Sequence, residues 1–418
     1  MSDSPPRRVQ PESLYIHVPF CARKCGYCGF YSEASSGEWM DRYVSALIRE
    51  MELVAADLRP RTVFFGGGTP SLLNRRQWEL IFAAMQRLNL LGATEWTVEC
   101  NPATVSLDKA KLLRAHGVNR ISMGVQSLDD TLLERLGRVH SRAMVFKSFD
   151  LLRQAGFDNL NLDLMFAIPS QTMASWQKTL AEAIALGSEH LSCYEVIYEE
   201  DTPLFAQLQR GKFTVKEDLA CEMYEELLER AEGAGLRQYE IANFARDKKV
   251  SPRFQVPGCR FEPINASGES PGTWHLTDDT SSVPGFACRH NVNYWRGGSF
   301  VGLGPSATTY VHGVRTKNCS NTQRYCQQLE TGTLPAESRE ELPPLTRAGE
   351  TAAFGLRMVA GWPFEEFHRT SGYDLREQWS GEMSRLAERG WGQIAPDRFQ
   401  LTRQGLRFAD AAAEMFLR

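Results

Sequence analysis

The sequence predicts an α/β protein: an open, partial (β/α)6 barrel followed by a small C-terminal winged-helix-like α+β module. Three observations lead there. Before residue 245, short apolar runs alternate six times with longer segments of helical spacing, which predicts parallel strands joined by crossover helices. The runs carry Val, Ile, Leu and Phe on both parities, as expected of strands buried on both faces. Beyond Leu345 the pattern changes to helices flanking a turn-rich pair of short segments, GWGQIA and RFQLT. Six units are too few to close an eight-fold barrel. An open barrel is preferred to a flat doubly wound sheet, although periodicity alone does not separate the two.

Taken in order, residues 1–13 read as a disordered N-terminus and residues 14–245 as the core. Leu14 to Val18 is the first strand, stopped by Pro19. Glu38 to Leu58 places Tyr43, Leu47, Ile48, Met51 and Val54 on one helical face, and RTVFFGGG then reads as a strand entering a glycine loop. The alternation continues with helix Arg75–Leu88, strand Glu95–Cys100, helix Ser106–His116, strand Arg120–Val125 and helices through Leu128–Ala155. Strand Leu160–Phe166, helix Ala174–Leu186, strand His190–Ile197 and helix Lys216–Ala234 complete it. Residues 246–287 turn to Pro, Gly, Ser and Asp with little periodicity, an irregular insertion whose Asn265-Ala266-Ser267 sequon reads as chance. Residues 288–344 connect to the C-terminal module at 345–418, where helices are expected near Thr346–Val359 and Glu377–Arg389.

The 418-residue chain, 42% hydrophobic, has room for one large domain and one or two small ones. A net charge of −4 gives no electrostatic reason to expect nucleic acid, and the C-terminal module shows no basic stripe. Ten cysteines, three clustered and the rest scattered, are not a secreted disulfide framework and point to a reducing compartment. The first 14 residues contain three prolines and no apolar core of a signal peptide, and no apolar run is long enough to span a bilayer. A cytoplasmic protein is expected, with peripheral membrane contact and oligomeric state left open.

The chemistry concentrates in HVPFCARKCGYCGF, where Cys21, Cys25 and Cys28 form a C-x3-C-x2-C array. Three thiolates on one loop can hold three irons of a [4Fe–4S] cubane and leave the fourth iron open. Two other readings stand beside it: a stripe of buried cysteines on a helix, opposed by Arg23, Lys24, Gly26 and Gly29, and a Cys3His zinc site that borrows His17. Gly66-Gly67-Gly68-Thr69-Pro70 after the second strand could bring backbone N–H groups to a small polar ligand, or could be only a tight turn. Glu99, Gln126, Arg138 and Asp163 fall at or just after strand ends, where α/β folds keep their sites. Together they offer acceptors for ribose hydroxyls and a cation for a carboxylate.

The array, with Tyr27 before its third cysteine, resembles the signature of radical S-adenosylmethionine (SAM) enzymes. In that superfamily the open iron chelates the amino and carboxylate groups of SAM, which an electron from the cluster cleaves to methionine and a 5'-deoxyadenosyl radical. The resemblance implies a SAM site at Tyr15, Gly67, Gly68, Thr69, Glu99, Gln126, Arg138 and Asp163, matching the GGTP, ECNP, GVQS, R-L-x-R and DL-x-x-x-x-P segments of the branch holding coproporphyrinogen III dehydrogenase and HemW.

Covering nearly the whole chain, the resemblance favours the HemW side. Phe30 stands where the dehydrogenase has a fourth cysteine, and only about a dozen residues precede the first strand, without the dehydrogenase's N-terminal extension. His290-Asn291-Val292-Asn293-Tyr294-Trp295 matches the H-N-x-x-Y-W associated with haem in that family, making His290 the expected haem ligand, with Cys288 as competitor. The implied function is haem delivery to haem-accepting proteins, with an electron donor such as flavodoxin or ferredoxin and no catalytic residue assigned. The alternative is oxidative decarboxylation of coproporphyrinogen III. About forty residues separate Asn243-Phe244-Ala245-Arg246 from Cys288, where the family has a short link, and a displaced His290 would put haem binding in doubt.

Overall fold

The computed structural model describes residues 11–34, 37–248 and 283–418. The first ten residues, most of the insertion and its sequon lie outside them. Six parallel strands stand in sequential order: β1 (Ser13–Val18), β2 (Thr62–Gly67), β3 (Glu95–Cys100), β4 (Arg120–Gln126), β5 (Leu160–Phe166) and β6 (His190–Glu195). A doubly wound sheet would reverse its strand order near the middle; this one steps in a single direction, and right-handed crossovers then put every connecting helix on one face. The partial-barrel reading follows from that order. The sheet stays open, from Ala336–Glu341 at one edge to Arg237–Gln238 at the other.

The expectation of apolar residues on both parities is corrected. Leu14, Ile16 and Val18, Val63 and Phe65, Trp96 and Val98, Ile121, Met123 and Val125, and Leu160, Leu162 and Leu164 face the helices and build the main core. The opposite parity is polar: Tyr15 and His17, Glu95 and Glu99, Arg120 and Ser122, Asn161 and Asp163, His190 and Ser192. Both faces are covered, but the concave one carries a hydrogen-bonded network. Asn161 donates to Ser122 and Asp163 (2.8 and 2.7 Å), His190 bridges Asn161 and Tyr239 (2.6 and 2.9 Å), and Ser192 donates to Asn161 and Asn243. Buried polar groups of this kind persist only when they are paired.

The segment between insertion and C-terminal module is more ordered than a connector. Phe300–Leu303 adds a seventh parallel strand beside β1, and Thr308–Val311, Val314–Asn318 and Ala336–Glu341 extend the sheet antiparallel. The insertion leaves and returns at one place, because the Phe286 N–H donates to Arg246 O (3.1 Å) while Arg246 N–H donates to Glu189 O. The helix Arg289–Trp295 follows directly and packs against β2. The C-terminal module has its own apolar core, including Trp362, Phe367, Trp379, Leu386, Phe399 and Phe416, around a three-stranded sheet ordered Trp362–Pro363, Arg398–Leu401, Gly392–Ile394. It docks through a bridge between Glu240 and Met358 and through Arg296, which donates to Gly361 O and lies over the Trp362 ring.

Candidate functional site

The cysteine array is a loop, not a helix. After the two-residue strand Phe20–Cys21 the chain turns, and Glu33 N–H closes onto Pro19 O (2.7 Å). Gly26 fastens the middle, donating to Leu136 O (3.0 Å) and accepting from Leu204 N (2.8 Å). All three cysteines are free and partly exposed. Each of two receives a donor: Arg138 Nη1 points at Cys25 Sγ and Thr69 Oγ1 at Cys21 Sγ, both 3.5 Å. His17 does not join them, since Nε2 is held by Tyr31 O (2.9 Å) and Nδ1 by the Tyr15 hydroxyl (3.0 Å). That pairing argues against the Cys3His zinc alternative. Among the described residues no three His, Cys, Asp or Glu side chains gather round one point. A cubane asks for no such convergence, because each thiolate takes its own iron.

The glycine loop turns the N–H groups of Gly67, Gly68 and Thr69 onto the protein itself. Gly68 N–H donates to Val18 O (2.8 Å), Thr69 N–H donates to Phe20 O (2.7 Å), and Gly67 N–H serves the Glu99 carboxylate. A Cβ on Gly68 would stand 2.7 Å from both Val18 O and Phe20 O, and Gly67 has φ +99°. Glycine is required because the loop runs against the chain that leads into Cys21.

The other predicted residues converge on the concave face at the C-terminal strand ends. Gln126 has φ 65° at a β-bulge that re-aims it over Gly124. The Gln126 amide and the Arg138 guanidinium crowd the place of a Gly124 side chain (3.3 and 3.2 Å), and Arg138 Nη2 donates to Gly124 O (2.5 Å). Arg138 Nε has no hydrogen-bond partner among the described residues. Burial pushes the Glu99 carboxyl up to about 8, with Asp163 adding to the rise. Burial raises Asp163 too, against donation from Asn161 and Ser122 and the nearby Arg120 and Arg138 guanidinia. Two carboxyl groups strained against ionisation suit a ligand carrying positive charge, and the open Arg138 Nε suits that ligand's carboxylate. Tyr15 lies on the same face near Glu99.

His290 sits elsewhere, toward the start of β2. Glu95 accepts from the N–H groups of Arg289 (2.9 Å) and His290 (3.0 Å), so a buried carboxylate holds the helix N-terminus against the sheet. His290 Nδ1 bonds Thr62 Oγ1 and Nε2 bonds the Tyr294 hydroxyl, both 2.9 Å, while the ring stacks on Phe64. Burial and then Arg120 hold its pKa down, at about 3. The imidazole is therefore neutral, the form that can ligate iron, and both nitrogens are engaged within the protein, so haem ligation by His290 would require the Tyr294 hydroxyl to give way. Cys288 is fully buried with its thiol turned to Glu95. What His290 does is form one wall of a cleft of about 600 Å³ that runs from Phe30 beside the cysteine loop, past Tyr15 and Phe64, to Tyr310 and the C-terminal module's Phe354.

Sequence reasoning missed Arg120, Glu95 and Asn161, the network beneath the site. Their signal was present as polar residues at every second position of strands otherwise apolar.

Residues 15–183 match the Radical SAM superfamily and residues 342–408 the HemN C-terminal domain. A protein named heme chaperone HemW from Bacillus subtilis is 31% identical over 97% of this chain and 99% of that protein. The heme chaperone HemW of Escherichia coli is 30% identical over 98% and 99%. Coproporphyrinogen III oxidase (HemN) from Escherichia coli, described as a radical SAM enzyme, superposes with a TM-score of 0.77 at 21% identity, over 98% of this chain and 90% of that one, a likeness of fold.

Proposed function

The chain belongs to the HemW family of radical SAM proteins, and from that premise we propose that it is a haem chaperone. On this reading it binds a [4Fe–4S] cluster through Cys21, Cys25 and Cys28 and SAM across the concave face, and it passes haem to haem-accepting proteins. The cysteine loop, with Arg138 and Thr69 aimed at its sulfurs and two strained carboxyl groups behind it, carries the reading. When bound, the cluster supplies an open iron for the ligand's amino and carboxylate groups and a source of one electron. The protein's share is to hold that ligand. Arg138 takes a carboxylate, Glu99 and Asp163 face the cationic part, and Tyr15 and Gln126 close the adenosyl side. Reduction draws on a donor such as a flavodoxin or ferredoxin.

Coproporphyrinogen dehydrogenation is the competing reading. Phe30, at the position of the dehydrogenase's fourth cysteine, is 71% exposed beside the loop and provides no sulfur. Anaerobically reconstituted protein given SAM, reductant and coproporphyrinogen III is expected to form no protoporphyrinogen, while titration with haemin saturates at one equivalent. Turnover to protoporphyrinogen, or no haemin binding, would overturn the proposal.

The Glu99 carboxyl gives a pH test. With its pKa near 8, the free protein holds it mostly neutral at pH 7, and a cationic ligand must draw out the proton on binding. Affinity for SAM should therefore rise with pH, by about tenfold between pH 7 and 9, and flatten above the pKa. In Glu99→Gln the affinity should be low throughout, and the wild-type excess over it should carry the slope. Equilibrium dialysis with labelled SAM reads both, and parallel profiles would remove Glu99 from the site.

A further inference from the structure

The cleft between the concave sheet and the C-terminal module has one donor atom left over. Of the side chains lining it that could ligate iron, His17 and His290 have both ring nitrogens hydrogen-bonded, Tyr15 bonds His17, Tyr31 bonds Glu33 and Thr322, and Tyr294 bonds His290. Tyr310, on the strand Thr308–Val311, also lines the cleft, and its hydroxyl has no hydrogen-bond partner among the described residues. Two guanidinia and the Glu350 carboxylate surround it. Arg315 lies over its ring at 5.9 Å and Arg347 stands close by. Arg315 is shared with Glu340 and Glu350, whereas Arg347 has no carboxylate partner among the described residues.

We propose that Tyr310 is the axial ligand of a ferric haem lying flat in this cleft between Phe30 and Phe354, with Arg347 beside the propionates. The inference rests on the haem-binding reading above and gives it a site. Three features support it. The volume is that of a small-molecule cleft, and its walls are aromatic planes suited to a macrocycle. Phenolate is a hard oxygen ligand for ferric haem; burial raises the Tyr310 phenol against the pull of Arg347 and Arg315, so it is the ferric iron that draws off the proton. The phenol proton goes to solvent as the Fe(III)–O bond forms and an iron-bound water leaves, with no change in oxidation state. The cleft begins at Phe30, two residues past Cys28, so a haem here would adjoin the cysteine loop.

The test uses the full chain with its cluster reconstituted, titrated with haemin and, separately, with metal-free protoporphyrin. Tyr310→Phe keeps the ring and its packing and removes only the oxygen. It should weaken haemin binding about tenfold or more, abolish the red-region charge-transfer band of high-spin tyrosinate haem, and leave metal-free protoporphyrin affinity within about twofold. His290→Ala should keep the tyrosinate spectrum. An equal loss for both porphyrins in Tyr310→Phe, or a spectrum lost in His290→Ala and kept in Tyr310→Phe, would overturn the assignment while leaving haem binding intact. Wild-type protein that binds neither porphyrin would instead remove the haem-binding reading, and this proposal with it.

Discussion

Cys25→Ala is expected to yield protein without a stable cluster and to lower SAM affinity by about a hundredfold or more, since a chelating iron is lost together with its position. Of the three cysteines it is the one facing Arg138, 3.5 Å from Nη1, and it follows Lys24 in the middle of a loop pinned on its far side by Gly26. Removing it therefore cuts two links: a ligand to one iron, and the sulfur against which Arg138 is set. Arg138 also donates to Gly124 O, so the guanidinium keeps one anchor and the fold should survive. Iron and acid-labile sulfide assays after anaerobic reconstitution, with circular dichroism as the check on folding, read the result. A variant that retains iron, sulfide and SAM affinity would show that Cys25 is not a ligand, and the cluster would then have to be sought elsewhere.

Much of this was open to reading from the chain, for a physical reason that differs by element. The six strands were legible because each is short, largely apolar and bounded by glycine or a polar cap; their sequential order was not, because the same periodicity fits a doubly wound sheet. Glu99, next to the last residue of its strand, and Asp163, in the middle of an apolar one, were legible because polar groups are rarely buried in such runs without a purpose. The polar parity beneath them was not, because Trp96, Val98 and their like dominate a count of apolar residues even when every second position is Glu, Thr or Arg. The hydrogen bonds of His290 were hidden for a related reason. A motif names residue types, whereas the availability of an imidazole depends on Thr62, which lies 228 positions away. The hairpins between Phe300 and Glu341 escaped because RTKN and AESREE lack the apolar alternation that marks a strand, being paired at an open, solvated edge.

Glu50 carries the largest expected effect on stability, and it belongs to the part of the fold the chain concealed. It lies on the helix Gly37–Val54, is 2% exposed, and accepts from Gly304 N (2.8 Å), Tyr325 Oη (2.6 Å) and Asn318 Nδ2 (2.7 Å). One carboxylate thus ties the end of the Phe300–Leu303 strand, the hairpin and the following helix to the first helix of the barrel. Glu50→Ala leaves three donors facing a void, and an expected cost of about 3–5 kcal/mol follows. Because the damage is local, hydrogen exchange at residues 300–325 should accelerate about a hundredfold or more while β3 to β5 stay protected. The ionisation has a sign of its own. Burial pushes the carboxyl up to about 6 from an ordinary 4.5, outweighing the three donors that lower it. The folded state therefore holds the proton more tightly than the unfolded chain. The resulting contribution is fully present below about pH 4.5 and is lost as pH rises through 6, a decline of about 2 kcal/mol. Glu50→Gln cannot titrate, so the difference in denaturation midpoint between wild type and this variant should shrink over that interval as the pH rises. A difference independent of pH would mean that Glu50 titrates as it does in water, and that its three donors compensate burial in full.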